Sequence, residues 1–315
     1  MRRVISGAIL LILFLAAPCG TVTTSAKPEP KEGPKLSKAD AKKAALVPKL
    51  GPAFETDPEL MDGFRALYEQ EFPEARVKFT AWCAAHPDEA FGQVSLAAGY
   101  LFDEFNRHGV LTSDFFMNDD KFLHGIEGEA DPERMKGFHA AIDQARVLAA
   151  AKLKISPGDP NALFALTMAA GMESNDFTIV EKKHIDGLKR MKEANDYARQ
   201  VLSVHPEVID VYVAPGSANY IIGCLSGTAR FFLWFGGING DKNLGMEEVG
   251  KTADGGRYLK GFAQILLALS SRREKQDAKA EVLLKALTEE YPKSPLFAAE
   301  YAKVRGLPVP AQLKP

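Results

Sequence analysis

From Pro58 onward the apolar positions keep the spacing of one helical face. Leu60, Met61, Phe64, Leu67 and Tyr68 form one such stripe. Pro73 then opens a second helix at a position where its missing N–H costs nothing, and Ala75, Phe79, Trp82 and Cys83 make the buried stripe of that helix. The pattern returns late in the chain as Tyr258, Leu259, Phe262, Ile265, Leu266 and Leu269, and again as Ala280, Leu283, Leu284, Leu287 and Tyr291. Long alternating runs of β-branched residues are absent, so the spacing predicts a nearly all-α chain.

The same stripes carry an internal repeat. Four times an alanine precedes a proline by twelve positions: Ala75/Pro87, Ala145/Pro157, Ala194/Pro206 and Ala280/Pro292. A small side chain lets two helices approach closely, and a proline that cannot continue a helix fixes the turn to the next one. The expected architecture is therefore a stack of antiparallel hairpins with a curved docking face, an α-solenoid over residues 58–306 with a short tail at 307–315.

This pattern resembles the tetratricopeptide repeat, a helix–turn–helix unit of about 34 residues. Gly63, Ala75, Phe79 and Pro87 stand at the offsets of that family's small, aromatic and proline positions. The other three units keep the alanine and the proline, but Ala149, Ala198 and Leu284 stand where Phe79 stands. The alanines lie 70, 49 and 86 residues apart, so the repeats are degenerate and interrupted. Residues 210–304, with Gly237, Gly240, Asp241 and Leu244-Gly245 after an apolar helix, are also similar to the tetratricopeptide repeat protein 39 family and to exported bacterial proteins like it. That resemblance implies no catalytic residue.

Before residue 58 the composition changes. Arg2 and Arg3 precede a short apolar run ending at Ala17. This reads as a secretory signal within residues 1–26 rather than as a permanent span. Two processing routes are open. Ala16-Ala17-Pro18-Cys19 resembles a lipobox, with Pro18 departing from the pattern, and would make Cys19 a lipidation site. Thr24-Ser25-Ala26 offers ordinary cleavage instead. Residues 27–57, rich in Pro, Lys and Gly, read as a flexible linker. Export to the periplasm, or anchorage to the outer membrane through that lipid, is the expected localisation.

Overall charge and composition narrow the function classes. The chain has 315 residues, 39 basic and 41 acidic, with 46% apolar residues. Near-neutral charge excludes a dedicated nucleic-acid binder, and the composition excludes disordered, collagen-like and polytopic membrane chains.

Local chemistry adds little. The loop from Gly236 to Asn243 fails the phosphate-loop spacing, because Asp241 and Lys242 stand five positions after Gly236 and Gly237. Asp241 is read as a helix cap. None of the six histidines forms HExxH. His86 and His205 sit before turn prolines, at helix C-termini. Cys83 and Cys224 read as buried thiols, with a disulfide between them as the alternative. The aromatic stretch with Tyr220, Arg230, Phe231, Trp234 and Phe235 reads as a core helix that could line a ligand or partner surface. Residues 109–133 break the helical pattern. They read as a long loop folded back on the array, with exposed-looking Phe115, Phe116 and Phe122, or as a lid or contact loop over the concave surface.

The function these readings point to is a non-enzymatic scaffold of the cell envelope. It would bind a protein or peptide and need neither cofactor nor metal. The alternative is a small-molecule-binding component of an envelope uptake system.

Overall fold

The computed structural model describes residues 50–224 and 240–309. Regular structure among the described residues is helical, with no strand. Thirteen α-helices follow one another: α1 (Pro58–Tyr68), α2 (Phe72–Ala85), α3 (Ala90–Arg107), α4 (Ser113–Phe116), α5 (Asp119–His124), α6 (Pro132–Ile155), α7 (Pro160–Asn175), α8 (His184–Val204), α9 (Val213–Cys224), α10 (Lys242–Gly255), α11 (Lys260–Arg273), α12 (Asp277–Glu290) and α13 (Pro295–Val304). Short turns of tighter or wider helix occupy Pro52–Phe54, Ile209–Tyr212 and Asp176–Val180, the last a π-helical turn. Apart from α4 and α5, each long helix packs mainly on its neighbours in the chain, the order expected of an α-solenoid. None of the described helices is long and apolar enough to cross a membrane.

The repeat has a common turn. The residue before each proline, namely His86, Ser156, His205 and Tyr291, ends its helix with φ between −125° and −128° and ψ between 64° and 84°. This is where the following pyrrolidine ring drives it, out of the α region. Its N–H still donates to the carbonyl four residues back, at 2.8–2.9 Å. Its carbonyl accepts the N–H of the third residue on, at 3.0–3.3 Å.

Within each unit the two marker residues part company. Ala75, Ala145, Ala194 and Ala280 are buried, as are Phe79, Ala149, Ala198 and Leu284. Pro87, Pro157, Pro206 and Pro292 instead lie in the turns beyond the helix ends, all four exposed. The prolines therefore act through the backbone of the residue before them and add nothing to the core. Helix starts are equally local. Asp57, Asp131, Asp159 and Ser294 accept amides of the first turn, each followed by a proline at the start of the helix, as capping and a fixed φ favour.

Gly63 marks a close approach between α1 and α2. A Cβ there would stand 2.5 Å from the Phe79 ring, which is itself buried. Gly63→Ala is expected to destabilise the protein by about 1–3 kcal/mol through overpacking, measured by urea denaturation.

One expectation is corrected. The packed chain reaches back into the stretch read as linker: Ala53 and Phe54 are buried, and the Phe54 ring stacks on Phe164 at 5.2 Å. Composition hid this because two apolar residues sit among prolines and lysines. The array also closes on itself, its last hairpin meeting its first. Phe164, Phe91, Tyr258, Phe64 and Phe79 form a continuous aromatic chain with centroids 5.2–5.6 Å apart. That chain joins α7 and α3 to α1, α2 and Tyr258, two residues before α11.

Around this core the last hairpin meets the first. Tyr68 Oη donates to Tyr258 O at 2.7 Å, Arg65 Nη1 to Glu290 O at 3.0 Å, and Leu296 N–H to Gln70 Oε1 at 2.9 Å. Tyr258 is fully buried. Its hydroxyl donates to Glu55 O at 2.6 Å and accepts the Asp57 N–H at 2.9 Å, while its own N–H donates to Asp210 Oδ2 at 3.0 Å.

The insert is not a loop with exposed rings. Phe115 is buried, and Phe116 and Phe122 pack on the core, the three rings clustering within 6.3 Å of one another. α4 and α5 carry these rings, and Asn118 caps α5 by accepting the Lys121 N–H.

A candidate ligand cleft beside the insert

The insert is fastened at both ends, and a cleft opens beside it. On one side Arg272 Nη1 donates to Ser113 Oγ at 2.7 Å, Arg273 Nη1 to Phe116 O at 3.0 Å, and Lys303 Nζ reaches Asp114 Oδ2 at 2.9 Å. These bonds tie α4 to α11 and α13. On the other side Ile126 N–H donates to Ile179 O in the π turn at 2.9 Å. Gly125 permits that docking: its φ is 66°, and a Cβ would run into the Ile179 carbonyl. Only glycine takes up that left-handed conformation at no steric cost.

Between the insert, the end of α3 and α13 lies an open cleft of ≈ 1420 Å³. Arg107 and His108 come from α3 and its C-cap, Lys121 and Leu123 from α5, and Leu296 and Lys303 from α13. Its charges are largely anchored from behind. Glu104, fully buried, accepts from Arg107 Nη2 at 2.6 Å and from the Asp131 N–H at 2.9 Å, and lies 3.0 Å from His108 Nε2. Burial alone would push this carboxyl up, but the Arg107, Asp131 and His108 bonds outweigh it and hold it below the ordinary glutamate range, because each favours the charged form. Lys303 also reaches Glu300 at 2.9 Å. Burial disfavours its charge, yet Asp114 and Glu300 hold its ammonium above the usual lysine value. The wall is thus fixed, of mixed sign and partly apolar, with Leu123 about half exposed.

The residues singled out in sequence fall elsewhere. Tyr220 lies on α9, its hydroxyl 3.5 Å from Ser270 O, and does not line the cleft. Nor do the repeat positions: Gly63, Phe79 and the four alanines are packed inside the hairpins, and Pro87, Pro157, Pro206 and Pro292 sit on turns away from the cleft wall. Arg230, Phe231, Trp234 and Phe235 lie outside the described residues, as does Cys19 with the segment read as signal. Asp241 caps α10, accepting the Asn243 and Leu244 amides, and His86 and His205 occupy helix C-caps. Cys83 and Cys224 are free thiols. Burial pushes the Cys83 thiol up to about 11, which leaves it unreactive. Sequence reading missed the cleft because its walls come from segments far apart in the chain; the irregular stretch at 109–133 was the one available signal.

No protein-family model matches this chain, and no curated protein matches it.

Proposed function

We propose that the chain is a non-enzymatic interaction module of the cell envelope, built from degenerate tetratricopeptide-type hairpins, that holds an extended segment of a partner protein in the cleft beside the insert. The observation that carries this reading is the size of the cleft, ≈ 1420 Å³. Small-molecule pockets typically enclose about 300 to about 1000 Å³, so this cleft is larger, and it is open to solvent. It suits a chain laid across it better than a metabolite enclosed by it. Mixed charge and apolar wall residues fit a peptide, whose backbone, polar and apolar groups alternate.

Fluorescence anisotropy with a labelled library of extended peptides tests the reading. Saturable binding is expected. Leu123→Asp, on the exposed lip, should weaken it about tenfold, as loss of one apolar anchor does. Val282→Asp, on an exposed position of α12 outside the cleft, should leave it unchanged. A library without a single saturable binder, together with a metabolite that saturably raises Tm, would favour the uptake-component alternative instead.

A further inference from the structure

Behind the insert, where α7 runs into the π turn, three potential ligands converge from distant positions. His139 projects from α6, Asp176 opens the turn and Glu181 follows it. One ligand atom from each lies within 4.8 Å of the others. His139 Nε2 stands 2.8 Å from Asp176 Oδ2.

A plain ion pair does not account for this arrangement. Asp176 is only 3% exposed, and its second oxygen, Oδ1, is buried with no hydrogen-bond partner. A buried carboxylate oxygen left idle costs free energy unless something takes it up. Lys183 pairs with Glu181, and it lies on the solvent side, where a cation could displace it. The His139 side chain is 50% exposed, which leaves an entry path. Single π turns inside α-helical chains recur at functional sites.

We infer that His139, Asp176 and Glu181 bind a divalent first-row transition cation. One imidazole nitrogen and two carboxylates suit zinc or manganese, whereas calcium and magnesium prefer oxygen alone. The bound ion would take the place of the His139–Asp176 hydrogen bond and engage the idle oxygen. Since Ile179 O of the same turn holds Ile126, the ion would also brace the insert from behind.

Calorimetric titration of the chelator-treated full chain with zinc chloride tests this. One ion per chain is expected. His139→Gln and Glu181→Gln, both on the solvent side of the site, should each weaken binding by at least about tenfold. His124→Gln, at another exposed histidine, should not change it. Zinc should also slow hydrogen exchange of the Ile126 amide in the wild type and not in His139→Gln. No saturable binding, or unchanged affinity in His139→Gln or in Glu181→Gln, would overturn the assignment.

Discussion

Tyr258→Ala is expected to destabilise the protein by about 3–5 kcal/mol, the range for deleting a large buried aromatic side chain. The ring is fully buried against Phe64 and Phe91, at 5.2 and 5.3 Å. Its hydroxyl bridges the Glu55 carbonyl and the Asp57 amide, 203 and 201 residues earlier. Tyr258→Phe keeps the ring and removes only those bonds, so about 1–2 kcal/mol is expected. Urea denaturation measures both. The position of the damage is the sharper readout. In an open solenoid a lesion near α11 would loosen its immediate neighbours. In a closed array it should also reduce hydrogen-exchange protection in α1, at the other end of the described chain. Equal protection of α1 in wild type and Tyr258→Ala would argue against closure.

Glu104→Gln is the second large effect, expected at about 2 kcal/mol because it weakens the charge-assisted hydrogen bonds that a buried carboxylate accepts. The glutamate is buried, with Arg107, His108 and the Asp131 amide around it. Arg107 in turn donates to Glu129 O at 2.8 Å, so the same side chain fixes the passage from insert to α6. The pH dependence follows from its depressed folded-state value. Its contribution is fully present above the unfolded glutamate value of about 4.3 and is lost as pH falls through the lower folded value. Stability in Glu104→Gln should therefore fall less steeply on acidification than in the wild type. An identical acid limb in both proteins would exclude Glu104 from that role.

Legibility in the sequence divides by range. The hairpins were readable because their determinants are local. A proline excludes its predecessor from the α region, and His86, Ser156, His205 and Tyr291, before Pro87, Pro157, Pro206 and Pro292, all show the backbone this imposes. The small residue at Gly63 and the aromatic at Phe79 were readable for the same reason, lying sixteen positions apart on paired helices. Closure was not readable. Tyr258 looks like any stripe residue until the fold brings Phe64 and Phe91 to it. The insert misled because α4 has only four residues and shows no period, so Phe115 seemed exposed. The ligand triad is spread over 37 and 5 positions, with no spacing that marks a metal site, and a π turn leaves no sequence signature.

Site-specific photocrosslinking in living cells tests the central claim most directly. A photoreactive residue at Leu123, on the cleft lip, is predicted to capture a discrete protein through one continuous segment of it, while the same residue at Val282 captures none. Adducts from Val282 with none from Leu123 would contradict the account.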